Sequence, residues 1–297
     1  MTEFSKKDIV VNNLTLHTET FGNPSNPACL LIACKQGTAR LWSDVFCQYL
    51  AEQGFFVIRY DHRDVGESSE IDWQKAPYTM QDFASDATLV LDGYGITKAH
   101  FVGDSLGGWL CQWIGVNYPE RVLSLVIISA APIEIIEKTE IPLSRQEQEM
   151  MDTTTKMFMN RKDGETLEET IQSYLPIWRH TNGDFPFDEE MAKDFTRDFL
   201  TRTKHKNAGK NHEFMLSAFL ATMKPLGILQ KINHPTLVIH GDKDTVIPLR
   251  LGQAVATAIP KSKFVMIPGM GHSFFNRDLE ERIAKLVVEH IKKVSHE

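Results

Sequence analysis

The chain has 297 residues, 42% of them hydrophobic and 24% charged, with a formal net charge of −7. That length holds one large α/β domain or two modest ones, and the composition is that of an ordinary globular protein with room for a substantial core. The acidic balance, with no Lys/Arg cluster interleaved with aromatics, argues against nucleic acid as the main partner.

In chain order, "DIVV" (8–11) and "LTLHTETFG" (14–22) read as a hairpin turning at Asn12-Asn13, because Asn tolerates positive φ. "ACLLIAC" (28–34) is a buried strand that stops abruptly at the polar "KQG" (35–37). "LWSDVFCQYLAEQG" (41–54) has helical spacing and ends on Gly54, and "FFVIRYD" (55–61) is a strand. "TMQDFASDATLVLDGYG" (79–95) is an amphipathic helix with Thr79 and Asp82 as a capping box. "HFVGDS" (100–105), "LGGWLCQWIGVNYPE" (106–120) and "RVLSLVIISA" (121–130) continue as strand, helix, strand. Apolar strands separated by helices imply a mainly parallel sheet covered on both faces.

The rhythm then breaks. Residues 133–230 contain no convincing strand and are rich in charge, Met and Phe, with "YLPIW" (174–178) read as a turn and "HEFMLSAFLATM" (212–223) as a helix. Strands resume at "HPTLVIHGD" (234–242) and "SKFVMIPG" (262–269), and a helix over 279–294 closes the chain. The expected organisation is an α/β core from residues 1–132 and 231–297, interrupted by a helical insertion at 133–230.

Cysteines 29, 34, 47 and 111 show no CxxC and no metal-ligand spacing, and Cys29, Cys47 and Cys111 read as small buried hydrophobes. The first residues carry no apolar signal core, and no apolar run reaches ~18 residues. The expectation is a cytoplasmic protein without a membrane span. The run "RTKHK" (202–206) reads as a solvated face.

"GDSLGG" (103–108) is a Gly-x-Ser-x-Gly motif between an apolar strand and a helix, the setting in which a serine is lifted above a sheet on a sharp turn. A serine hydroxyl needs a base, usually a histidine oriented by a carboxylate. His17, His100, His180, His205, His212, His290 and His296 lie in strand, helix or surface contexts with no special turn. His272 instead sits on the glycine-flanked loop "GMGHSFF", just after the strand ending "FVMIPG". "IHGDKDTVIP" (239–248) offers Asp242 and Asp244, and Asp244, further from the strand end, is better placed to reach the histidine loop. Ser105, Asp244 and His272 are therefore the expected nucleophile, acid and base.

With "YDHRDVGESS" (60–69), "GDSLGG", and "GDKDTVIP" followed by "GMGH", the chain resembles the α/β-hydrolase fold superfamily over nearly its whole length, in the serine-aspartate-histidine order of that superfamily. "VIRYDHRDVGESS" and "VLDGYGITKAHFVGDSLGG" look most like the aclacinomycin methylesterase-type hydrolases. The resemblance implies hydrolysis of a small-molecule carboxylic ester through an acyl-enzyme, no cofactor, and a helical cap at the insertion. It also implies a chiefly structural role for Asp61 and Arg63. The oxyanion donors would be the backbone N–H of Leu106 and of Lys35, which falls where superfamily members place the residue after a His-Gly pair; here Ala33 and Cys34 replace that pair. Trp42 and Trp109 flank the predicted catalytic loops as expected substrate contacts, and Met157, Phe158, Trp178, Phe214, Phe219 and Met223 make the insertion apolar enough to line a pocket or form its own core. Two other readings use the same residues: a cofactor-free haloperoxidase or perhydrolase, and a receptor-like ligand-binding hydrolase fold with little turnover. The substrate and the oligomeric state stay open.

Overall fold

A computed structural model describes residues 4–11, 13–134, 143–204, 208–223 and 227–294. Asn12, His205, Lys206 and His296 lie outside the described residues. Strands β1 (Phe4–Val11) and β2 (Leu14–Phe21) form an antiparallel hairpin, with Asn13 at φ 67 in its turn. β3 (Ala28–Ile32), helix α1 (Asp44–Glu52), β4 (Phe56–Tyr60), α2 (Met80–Gly93), β5 (Ala99–Asp104), α3 (Leu106–Asn117) and β6 (Val122–Ile128) follow. Among the described residues the sheet has eight strands when β7 (Thr236–Gly241) and β8 (Ser262–Ile267) are added, in the order β1-β2-β4-β3-β5-β6-β7-β8. β1 and β2 pair antiparallel, as do β2 and β4; every later pairing is parallel. This is the mainly parallel, doubly wound sheet expected from the alternation of apolar runs and helices.

Side chains alternate across the inner strands, so those strands feed two cores. Leu30, Ile32, Ile58 and Phe101 point to the face covered by α2 and α3. Cys29, Leu31, Val57 and Val102 point to the other, covered by α1 and the last helix, α9 (Arg277–Val294). Burying one such aliphatic side chain contributes about 1.5–3 kcal/mol, which is why these strands read as continuous apolar runs. Cys29, Cys47 and Cys111 are buried. α2 starts at the anticipated capping box: the Thr79 side chain accepts the Asp82 amide, and Asp82 Oδ2 accepts the Thr79 amide at 2.7 Å.

Between β6 and β7 lie helices α4 (Arg145–Asn160), α5 (Leu167–Thr181), α6 (Glu189–Arg202) and α7 (Ala208–Thr222), with no strand among the described residues. After β7, helix α8 (Leu249–Ala258) leads to β8. "YLPIW" is not a turn: Pro176 lies inside α5. Proline forfeits one intrahelical hydrogen bond, but burial of Leu175 and Ile177 offsets it, together with Trp178, which stacks on Tyr174 at 5.6 Å and meets Phe195 and Phe275. Packing overrides the local propensity. No helix among the described residues is long and apolar enough to cross a membrane.

Candidate active site

β5 runs into α3 at Ser105, whose φ of 53 is left-handed, a conformation costly for a residue with a Cβ. The turn is possible because its flanks are glycine. A Cβ on Gly103 would collide with the Gly107 carbonyl, and one on Gly107 with the Ile32 carbonyl. The Ser105 amide is tied to the Ile128 carbonyl at 2.9 Å, so the hydroxyl is held at the C-terminal end of the sheet.

His272 comes from the loop after β8. That loop is fastened from two sides: Asp242 Oδ1 accepts the Gly269 amide at 2.6 Å, and the end of α5 accepts the Ser273 amide on the Thr181 carbonyl at 3.0 Å. Asp244 follows β7, 2% exposed, and its Oδ1 accepts the amides of Val246 at 2.9 Å and Ile247 at 2.8 Å. The three side chains form one line. His272 Nε2 lies 3.1 Å from Ser105 Oγ, and His272 Nδ1 lies 2.9 Å from Asp244 Oδ2. Nδ1–H therefore donates to the carboxylate, which leaves Nε2 free to accept the serine proton. Of the two candidate acids, the fold brings Asp244 to the histidine and uses Asp242 to shape the histidine loop.

The electrostatics agree with this arrangement. Burial alone would push the Asp244 carboxyl up, but His272 and His240 hold it well below the usual range. Burial alone would lower His272, but the Asp244 carboxylate outweighs it and raises the imidazole above its ordinary 6.5. Asp104, immediately before Ser105, has no place in the sequence reading. It is 3% exposed, its Oδ1 has no hydrogen-bond partner among the described residues, and burial pushes its pKa up to about 7.

The loop after β3 turns between Cys34 and Gly37, the Gly37 amide bonding the Cys34 carbonyl at 3.0 Å, with Gln36 at φ 63. Among the described residues, neither the Lys35 nor the Leu106 amide has a hydrogen-bond acceptor within the protein. The Lys35 ammonium lies 3.8 Å from Glu213. Trp42 is a correction: it is 1% exposed, packed against Phe46 at 5.1 Å and Phe274 at 6.3 Å, and offers a substrate no surface. Its neighbours in sequence suggested a loop position, but the ring turns into the core. Trp109, one turn past Ser105, is part-buried against Phe219 of α7 at 5.6 Å. Of the apolar insertion residues, Trp178 packs with Phe158 and Phe275, whereas Phe214 stays 52% exposed. Asp61 and Arg63 carry structure. Asp61 accepts the Ala39 amide at 2.7 Å, the Glu67 amide at 2.9 Å and Arg202 at 2.8 Å, and Arg63 pairs with Asp86 at 2.6 Å.

The family model for the alpha/beta hydrolase fold matches residues 30–276. Rhodomycin D methylesterase DnrP of Streptomyces peucetius is 33% identical over 280 residues, covering 89% of this chain and 91% of that protein. The bifunctional esterase/perhydrolase DCH of Acinetobacter calcoaceticus is 24% identical over 234 residues, covering 78% and 80% respectively. Among solved structures, the 2-hydroxy-6-oxo-6-phenylhexa-2,4-dienoate hydrolase of Rhodococcus sp. strain RHA1 superposes with a TM-score of 0.75 at 18% identity, covering 98% of this chain and all of that one. The chain belongs to the α/β-hydrolase fold family.

Proposed function

We propose that the protein is a serine hydrolase that cleaves a carboxylic ester through an acyl-enzyme. The observation that carries this reading is the continuous Ser105–His272–Asp244 line at the C-terminal edge of the sheet, with spans of 3.1 and 2.9 Å. The likeness to a methylesterase supports an ester as the substrate. Ser105 Oγ attacks the ester carbonyl carbon while His272 Nε2 takes its proton, and Asp244 stabilises the imidazolium that forms. The carbonyl oxygen, now negative, is received by the Leu106 and Lys35 amides, which have no acceptor of their own among the described residues. His272 then protonates the departing alkoxide. Water, deprotonated by the same histidine, cleaves the acyl-serine and restores the hydroxyl. Residues 133–230 act as the cap of this site, and Trp109 lines its floor.

Ser105→Ala tests the reading. On a short-chain nitrophenyl ester it is expected to lower kcat by about 10⁴–10⁶-fold, the usual loss on deleting a triad member; turnover close to wild type would refute it. The same comparison separates an enzyme from a receptor-like binder, since a binder has little wild-type turnover to lose. Peroxide in place of water on the same acyl-enzyme would make a perhydrolase. The likeness to the esterase/perhydrolase favours measuring acetate-dependent bromination beside ester hydrolysis.

A further inference from the structure

His212 lies in the second turn of α7, in the insertion, and is 0% exposed. Both ring nitrogens are engaged, and neither bond is within its own helix. The Gln36 amide donates to His212 Nδ1 at 3.2 Å, and His212 Nε2–H donates to the Arg63 carbonyl at 2.9 Å. The ring is wedged edge-on against Phe83, with centroids 5.0 Å apart. Those two bonds require the neutral Nε2–H tautomer, and burial, which lowers its pKa to about 4, keeps it neutral.

Gln36 follows Lys35, the donor assigned above to the oxyanion. The Gln36 amide belongs to the peptide plane joining these two residues, so fixing that N–H leaves the Lys35 amide only the freedom of Lys35's own φ and ψ. The turn holding them has no glycine at position 34 or 35, and it carries a left-handed Gln36, a conformation that costs energy in a residue with a Cβ. Support comes from outside the loop. His62 Nε2 reaches the Ala33 carbonyl at 3.0 Å on one side, and His212 holds Gln36 on the other, where Gln36 Nε2 also donates to the Gly209 carbonyl at 3.2 Å. The loop is thus held between the sheet and the insertion.

We infer that His212 is a positioning residue for the oxyanion loop: through the Gln36 amide it fixes the Lys35 N–H, so that α7 of the insertion helps to set the geometry of the oxyanion hole. The inference rests on the serine-hydrolase reading. Shifting a catalytic donor by about 1 Å costs about 10²-fold, and losing one costs about 10²–10³-fold.

The test compares His212→Phe, which keeps a ring but loses both hydrogen bonds, with His212→Gln, whose amide oxygen accepts and whose amide nitrogen donates. Each is measured for kcat and KM on a nitrophenyl ester, for thermal midpoint, and for inhibition by an aryl trifluoromethyl ketone, whose serine adduct places an oxyanion in the hole. His212→Phe is expected to lower kcat about 10–100-fold with KM within about two-fold, and to weaken the ketone in proportion to the loss in kcat/KM. His212→Gln is expected to recover most of both. A thermal midpoint that falls while kcat and ketone affinity stay at wild-type values would overturn the inference and leave His212 a packing residue. So would a His212→Gln variant no better than His212→Phe. Should His212→Phe not accumulate folded, His212→Asn, too short to span both partners, is read by the same criteria. Ser105→Ala is run alongside: turnover there refutes the serine-hydrolase reading itself, whereas an inactive Ser105→Ala beside a fully active His212→Phe refutes only the role of His212.

Discussion

Asp104 buries a second carboxyl group one residue before Ser105, in the field of both His272 and Asp244. Burial raises its pKa to about 7, His272 pulls it down, and Asp244 pushes it up. In return its charge helps to raise His272, after the larger contribution of Asp244. The sign of the pH effect follows. His272 must be neutral to accept the serine proton, so kcat/KM rises with pH through a midpoint above 6.5. The three groups titrate together, so the midpoint belongs to the cluster. Asp104→Asn removes a negative charge beside the imidazole, makes its protonated form less favourable, and is expected to move the acid limb of the kcat/KM profile to lower pH. A limb that stays in place or moves up would contradict this coupling. That Ser105, Asp244 and His272 would come together could be read from the sequence because the strand-end motifs are local. Asp104 went unmarked and His212 was set aside by the same reasoning, since the burial of one and the contact between residues 36 and 212 are encoded in no local pattern.

A buried ion network joins β2, β4 and α1. Arg59, 0% exposed, donates to Glu19 Oε2 through Nε at 2.9 Å and Nη2 at 2.5 Å, meets Asp44 at 2.5 Å, and also bonds the Trp42 carbonyl. Arg40 adds a further bond to Glu19 at 2.8 Å. Burial would raise the Glu19 carboxyl, but His17, Arg59 and Arg40 together hold it far below its ordinary value. A lowered carboxyl stabilises the fold at pH above its unfolded pKa, near 4.3, and that stability is lost as pH falls through the folded value. Arg59→Met leaves Glu19 and Asp44 short of their main partner and is expected to cost about 3–5 kcal/mol at neutral pH, read from urea unfolding. A loss under about 1 kcal/mol would contradict the network's importance. Element boundaries were legible where period and caps agreed, as at Thr79 and Asp82. "YLPIW" was misread because its proline is a local signal, whereas the burial of Leu175 and Ile177 that keeps it helical is a tertiary one.

The whole molecule ties its insertion to both loops proposed for catalysis. α5 grips the histidine loop through the Ser273 amide, and through a 2.8 Å contact between the Thr181 and Ser273 hydroxyls. α6 and α7 grip the loop after β3 through Asp198, which accepts the Thr38 hydroxyl at 2.9 Å, and through His212. A mainly parallel sheet and a helical stretch after residue 132 could be read from the alternation of apolar runs and its break; the order of the strands was not. How the insertion meets the loops could not, because those contacts join segments over 90 residues apart. The central claim is that Ser105 is a nucleophile activated by His272, and covalent trapping tests it most directly. After brief exposure to a fluorophosphonate, intact-protein mass spectrometry with peptide mapping is expected to find one phosphonyl group on Ser105 in the wild type and far slower labelling in His272→Ala. An unlabelled wild-type protein, or a label on another residue with Ser105 unmodified, would contradict the account.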